Sequence, residues 1–430
     1  LGTPRDNMQT TPFWWEEAPR QQIPEEALPS SVDVAIVGSG YTGISAALTL
    51  SRAGRSVLVL ESGDIGHGAS TRNGGQVGAD YKTVLDRFKV NQDSGKQQAA
   101  HAQRWACFDY LTHLIEAEGI DCQFERVGRF VGAYKPAHYD SLARDLDAAK
   151  ASLGVEGHAV SRGEVHHELG TERYFGGIVL PRDASLHPGL LHQGMLERAL
   201  EGDTRLAPRT TVRGVEISGS GFTVSTNRGS VAARQVLIAT NGYTGAATPG
   251  LRRGVIPVGS YMIATDEVDP AAMARIMPKG RVNSDSRKVV FYYRPSHDRR
   301  RVLIGGRVAS GDVNERLSAR RLHAVLADIF PDLADVGVSH AWMGFVAYTF
   351  DHKAHLGVHD GLHYAMGYCG GGVHQATYFG HCAAQKILGV PDGETGIAES
   401  ALPTRPYYWG TPWFVPLAVI RYKITDRWGI

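Results

Sequence analysis

A short glycine pattern near the start narrows the possible folds of this chain more than any other feature. Gly38-Ser-Gly40-Tyr-Thr-Gly43 fits GxGxxG. A nearly continuous apolar run, VDVAIVG (32–38), precedes it and suits a strand covered on both faces. A small-residue helix, YTGISAALTLSRAG, opens within the pattern and stops at Gly54. SVLVLE (56–61) reads as the returning parallel strand and ends on Glu61, 18 residues after Gly43. Alone, GxGxxG is weak evidence; strand, helix, second strand and terminal acid together form the context a dinucleotide-binding βαβ unit requires. Gly38 permits the tight turn, Gly40 lets the backbone approach a pyrophosphate, and Gly43 lets helix and sheet pack closely. The helix amides, beginning at Tyr41 and Thr42, face the phosphates. Glu61 accepts hydrogen bonds from ribose hydroxyls and so disfavours NADP, while NAD and FAD both remain open on this motif.

The rest of the chain supplies the choice. Downstream of Glu61 and Ser62 runs GDIGHGASTRNGGQVG (63–78), a loop of small and amide-bearing residues. Such a loop wraps a cofactor further along its length, through Ala69, Ser70, Asn73, Gly74, Gly75 and Gln76, with Ser70 and Asn73 placed to hydrogen-bond it. A nicotinamide dehydrogenase has no evident need for it, so the expectation is FAD. VLIAT and its exit NGYTG (236–245) suggest a second approach of backbone to nucleotide, near Gly242. Near the C-terminus, Gly370-Gly371-Gly372-Val373 opens a helix whose N-terminal amides would face the pyrimidine edge of the flavin. Val212 and Gly306 complete the expected cofactor set.

With 430 residues the chain exceeds the size at which one core usually stops growing, so two domains are expected. The first is a Rossmann-type α/β FAD domain, discontinuous over 32–108, 170–254 and 355–400. The second is an α+β substrate domain over 109–169 and 255–354, built on a mixed or antiparallel sheet. Residues 1–31, rich in proline and aromatics, read as an extended arm packed on the surface, and 401–430 as an aromatic segment packed on the body. Helices are expected at 95–118, 138–152, 188–201, 317–329 and 374–388, and a meander of short strands over 209–239. Ser161 with Glu164 offers a capping box, and His187 caps the helix after Pro188.

Formal net charge is +1 with no basic block, which is not the footprint of a nucleic-acid binder. No apolar run reaches a membrane span, and no signal-peptide pattern is read. Four cysteines without CxxC spacing suit reduced thiols in a cytoplasmic protein. His352, His355, His359 and His363 suggest a metal cluster, but strand–turn–strand spacing need not make them converge, and no metal is expected.

Taken together, the blocks resemble the D-amino-acid-oxidase-like FAD family, on the side of the gamma-glutamylputrescine oxidases. The carrying pieces are VAIVGSGYTGISAALTLSRAG, GHGASTRNGGQVG, SLHPGLLHQG, ATNGY, FYYRP with VLIGGR, GYCGGGV and the closing YKITDRWGI. The resemblance implies oxidation of an amine C–H, hydrolysis of the imine, and reoxidation of the flavin by dioxygen with release of hydrogen peroxide. Two departures stand out. The group usually shows a GHG-type turn where this chain has Gly370-Gly371-Gly372, and relatives that tether flavin carry a cysteine that WMGFVAYTFD (342–351) lacks. FAD is therefore expected to bind non-covalently. A lysine that relatives place in the strand matching FYYRP is also missing.

A neutral amine is required for hydride loss, so a desolvated aromatic pocket is expected, walled by Tyr261, Tyr292, Trp342 and Tyr368. Arg294 is expected to hold a substrate carboxylate in a bidentate pair. The leading reading is an oxidase acting on a primary or secondary amine, with gamma-glutamylated and carboxylate-bearing amines among the expected substrates. A dehydrogenase delivering electrons to a quinone or carrier, and a non-redox flavin module, are the competing readings.

Overall fold

The computed structural model describes residues 7–85, 94–309, 311–391, 394 and 396–428. The start of the arm, part of the segment before the helix at 94, and the last two residues of the YKITDRWGI block lie outside that set. Two eight-stranded sheets organise the chain. In the first, the order is His355–His359, Leu362–Met366, Gly229–Ile238, Ser31–Val37, Val57–Leu60 and Thr204–Ala207. The last five run parallel. The meander expected over 209–239 branches off as Gly221–Thr226, antiparallel to the first half of Gly229–Ile238, with Val212–Ser218 antiparallel to Gly221–Thr226 in turn.

Both faces of the parallel strands are covered, which explains their uninterrupted apolar sequence. On one face lie the helices Tyr41–Arg52, Ser94–Ala117, Pro188–Leu200 and Gly372–Ile387. The meander covers the other through Val212, Val215, Phe222 and Val224. Gly54, at φ +73°, ends the first of these helices just past its cap residue Ala53.

The second sheet is mixed, in the order Val338–Tyr348, Ile256–Thr265, Val302–Gly306, Phe291–Pro295, Val282–Asp285, Arg129–Gly132, Gly177–Leu180 and His158–Val160. Among its described strands, only Val282–Asp285 with Arg129–Gly132 is a parallel pair. The helix Glu315–Ile329 packs on one part of this sheet and Pro136–Leu153 on another. Gly177–Leu180 falls within the segments assigned to the nucleotide domain by sequence, yet it pairs into this second sheet. Its four residues are all buried and carry no local mark of which sheet they join.

The N-terminal arm reaches deeper than a surface strap. Phe13 and Trp14, the latter in a single helical turn Trp14–Glu17, are buried against Met262, Leu303 and Trp342 of the second sheet. The C-terminal segment contains a helix not read from its sequence, Val415–Trp428. Val415 and Val419 pack with Tyr408 and Ile256, and the Tyr408 hydroxyl donates to the Val255 carbonyl at 2.7 Å. No described helix is long and apolar enough to cross a membrane.

Candidate active site

The GxGxxG turn has the geometry its glycines imply. Gly38 sits at φ +107°, and a Cβ there would lie 2.9 Å from the Ala239 carbonyl oxygen. A Cβ on Gly43 would meet the Gly38 carbonyl oxygen at 2.0 Å, so the helix can lie this close to its strand only with glycine. Glu61 stands at the end of the second strand and organises the turn. Its Oε2 accepts from the Ser39 amide at 3.1 Å and the Ser39 hydroxyl at 2.7 Å, while Oε1 accepts from the Gly63 amide at 3.1 Å and the Ser62 hydroxyl at 3.2 Å. Glu61→Gln keeps the shape but removes the charge from these bonds. FAD affinity is expected to fall by about tenfold, the equivalent of roughly 1–2 kcal/mol, read by fluorescence quenching during FAD titration.

A cavity of about 1890 Å³ begins at this turn. Ordinary ligand pockets span roughly 300–1,000 Å³, so there is room for a cofactor of dinucleotide size together with a substrate. Its lining runs from Glu61, Ser62 and Val212 past Gly38, Gly40, Tyr41, Thr42, Ala69 and Ser70 to Gly370–Val373, and continues to Ser260, Met262, Tyr292, Gly306 and Phe345. The turn, the cofactor loop and the C-terminal glycine cluster, far apart in sequence, thus line the same cavity.

Inside the cofactor loop the roles differ from expectation. Ser70 Oγ accepts from the Tyr41 amide at 2.9 Å, so it holds the start of the helix. Asn73 donates from Nδ2 to the carbonyls of Ala69 and Ser70 and accepts from the Gly75 amide at 2.9 Å. Both polar groups bond to backbone, Asn73 within the loop and Ser70 to the helix start, although both residues line the cavity. Gln76 also lines it, and its Oε1 accepts from Arg129 at 2.8 Å. Gly43, Gly75 and Gly242 stand behind the wall. Gly75, at φ +62°, lets the loop reverse where a Cβ would strike the Leu186 carbonyl.

Of the five expected substrate-site side chains, Tyr292 and Tyr368 line the cavity and the other three do not. Tyr292 packs its ring against Gly74 and Gly305, where Cβ atoms would lie 2.8 and 2.5 Å from it, and its hydroxyl is 3.2 Å from Ser260 Oγ. The Tyr368 hydroxyl is 2.6 Å from Thr42 Oγ1 and donates to the Ala365 carbonyl at 3.0 Å, tying the strand exit to the fingerprint helix. Tyr261 is fully buried in the second sheet's core, and its hydroxyl accepts from the Val313 amide. Trp342 is equally buried and donates to the Arg72 carbonyl at 2.8 Å.

Arg294 is the main correction. Its Nη1 donates to the carbonyls of Gly75 at 3.1 Å and Leu186 at 2.9 Å, and its Nε to that of Pro295 at 3.0 Å. Burial lowers its pKa to about 10. The guanidinium clips the cofactor loop to the strand Phe291–Pro295 and does not face the cavity. His187 caps the helix from Pro188 by accepting from the Leu190 amide at 3.1 Å, as expected. Ser161 and Glu164 form their capping box on a short 3₁₀ turn. His355 bonds Asp351 and Ser400, His359 lies against Asp360, and no described group of His, Cys, Asp or Glu is arranged to hold a metal.

The structure adds cavity residues that the sequence did not mark. Lys82, from the helical turn Asp80–Val84, donates to the carbonyls of Cys369 at 2.7 Å and Tyr368 at 3.2 Å. Burial pushes its pKa down to about 8. His374, in the first turn after the glycine cluster, has neither ring nitrogen hydrogen-bonded; burial, with Lys82 and Arg104 nearby, holds it neutral, at about 3. Cys369 is buried, donates its thiol to the Gly367 carbonyl at 3.1 Å, and has its pKa raised by burial.

A model of the FAD dependent oxidoreductase family, DAO, matches residues 33–386. The chain belongs to that family. Curated relatives agree in extent. The chain is 33% identical over 396 residues to a probable oxidoreductase, OrdL, of Rhizobium meliloti (strain 1021), covering 88% of each chain. It is 27% identical to the gamma-glutamylputrescine oxidoreductase of Escherichia coli (strain K12), over 98% of this chain and 99% of that one. Among solved structures it resembles glycine oxidase from Geobacillus kaustophilus, with a TM-score of 0.72 at 22% identity, over 89% of this chain and 99% of that one. This member of the family is an FAD-dependent oxidoreductase, and the Gly38–Gly43 cradle, which Cβ atoms would fill, fits the cofactor.

Proposed function

We propose that this oxidoreductase acts on CH–NH or CH–NH₂ bonds, oxidising a primary or secondary amine that carries a carboxylate or a gamma-glutamyl group. Water then hydrolyses the imine to an aldehyde or oxo acid with release of ammonia or a smaller amine, and dioxygen is the final acceptor, yielding hydrogen peroxide. Bound non-covalently, FAD supplies the two-electron acceptor for the hydride leaving the amine carbon. The observation that carries this reading is one cavity lined both by the dinucleotide turn and by the apolar surfaces of Met262, Tyr292 and Phe345. Full-length similarity to a protein named gamma-glutamylputrescine oxidoreductase supports the amine class.

What the chain's residues contribute follows from the state the amine must reach. An alkylamine near pKa 10.4 loses its proton at pH 7 at a cost of roughly 4–5 kcal/mol. Tyr292 and Met262 present ring and thioether surface that desolvates the ammonium and lowers this cost. Burial raises the Tyr292 hydroxyl above its ordinary value, so it stays protonated beside Ser260 and serves as a hydrogen-bond donor. The Cys369 thiol, protonated and turned to a carbonyl, is no nucleophile for tethering the ring.

The test is anaerobic bleaching of the bound flavin by a panel of amines and amino acids, followed by peroxide assay in air. Gamma-glutamylated or carboxylate-bearing amines are expected to bleach fastest, with peroxide formed in equal amount. Bleaching without peroxide transfers the reading to a dehydrogenase that feeds a quinone or carrier; no bleaching by any amine overturns it.

A further inference from the structure

The turn Gly370–Gly372 carries no side chain, yet it has a charge set against it. Lys82 reaches it from Asp80–Val84, some 290 residues earlier in the chain, and anchors Nζ on the two carbonyls that lead into the turn, Tyr368 and Cys369. A Cβ on Gly371 would lie 3.2 Å from that Nζ and 2.4 Å from Nε2 of Gln375. The ammonium thus occupies room that a side chain at position 371 would otherwise take.

Lys82 lines the same cavity as the glycine turn and is only partly accessible. Both of its acceptors are neutral carbonyl oxygens, and among the described residues no carboxylate pairs with it. The groups around it leave its charge uncompensated. From the helix Ser94–Ala117 comes Arg104, bonded to Thr83 Oγ1 at 2.9 Å; from the strand exit, the protonated thiol of Cys369; from the first turn of Gly372–Ile387, neutral His374 and Gln375.

We propose that Lys82 is the cation this chain sets against the flavin ring at the Gly370–Gly372 turn, in place of a side chain at position 371, and that its charge stabilises the reduced anionic ring. The proposal rests on the reading that the ring ends at this turn. An ammonium inside a low-dielectric cavity acts on a developing negative charge far more strongly than one in water. Because burial brings its titration close to pH 8, the charge is present at neutral pH and is lost as pH rises through that value. Reduction then becomes less favourable.

The experiment compares holoenzyme carrying Lys82, Lys82→Arg and Lys82→Met, each checked for FAD content by flavin released on denaturation. Equilibration with reference dyes gives the flavin midpoint potential, and sulfite, an anionic probe that adds to oxidised flavin, gives a dissociation constant. Neither measurement uses an amine, so the outcome is independent of the substrate. Lys82→Met is expected to make reduction about 10–100-fold less favourable, about 30–60 mV for a two-electron couple, and to weaken sulfite binding by a similar factor, while Lys82→Arg stays near the parent. In the parent the potential is expected to fall more steeply with pH above about 8, and Lys82→Met is expected to lack that extra slope. Unchanged potential and sulfite affinity in fully loaded Lys82→Met overturn the proposal. If that variant holds no FAD, the parent's pH series decides, and a constant slope through pH 8 overturns it equally.

Discussion

Gly43→Ala is expected to yield a protein that no longer retains FAD. The added methyl would stand 2.0 Å from the Gly38 carbonyl oxygen, 3.1 Å from its carbon and 3.2 Å from Ile36 Cγ2. Two of those atoms are backbone and cannot rotate away. The only relief is to lift the helix Tyr41–Arg52 off the strand Ser31–Val37, which displaces the amides that open the helix. That helix is buried along nearly its whole length, against neighbours that include Gly372–Ile387, where Gly380 already meets the Thr42 carbonyl. Shifting it therefore disturbs the core as well as the turn. Overpacking of this kind costs about 1–3 kcal/mol or more, and each 1.4 kcal/mol diverted from cofactor binding is about tenfold in affinity. With two of the three contacts on backbone, the cost falls at the upper end of that range, about 3 kcal/mol, which corresponds to a loss of about 100-fold. The ratio of flavin to protein absorbance after purification reads it directly, and a Gly43→Ala protein that purifies yellow at full occupancy refutes it.

Arg294→Met is expected to lower stability by about 3 kcal/mol, since it strips hydrogen bonds from buried carbonyls of Gly75 and Leu186. The holoenzyme's melting temperature should drop by several degrees. Substrate preference should not move: the ratio of kcat/KM between an amine bearing a carboxylate and its carboxylate-free analogue stays where it was. A selective loss on the carboxylate-bearing amine would return Arg294 to the role the sequence suggested.

The contrast between Gly43 and Arg294 shows what a sequence exposes. Gly43 is legible because its requirement is local: a strand, a turn and a helix within twenty residues leave no room for a side chain. Glu61 is legible for the same reason, as the end of the next strand. Arg294 was misread because its acceptors are backbone carbonyls from positions 75 and 186, and no residue type advertises a carbonyl. Ser70 and Asn73 line the cavity, yet Asn73 closes the loop on itself and Ser70 holds the Tyr41 amide, a preference of short polar side chains for nearby backbone that sequence alone does not separate from ligand binding. Lys82 gave no signal, because what makes it unusual is a glycine 289 positions away. The terminal helix Val415–Trp428 went unread because its apolar residues lie on two faces: Val415 and Val419 inward, Leu417, Ile420 and Ile424 outward. That pattern has no single stripe at helical spacing.

Three indoles hold three consecutive residues of the cofactor loop. Trp15 donates to Thr71 Oγ1 at 3.1 Å, Trp342 to the Arg72 carbonyl, and Trp14 to the Asn73 carbonyl at 2.8 Å. Two of them belong to the N-terminal arm and one to the second sheet, so the loop cannot fluctuate open unless one of its neighbours lets go. Arm, loop and sheet edge therefore form one cooperative unit that opens together. Protection of the loop's amides against hydrogen exchange is set by how firmly residues 13–15 are seated, and the arm acts as a latch on the cofactor's enclosure.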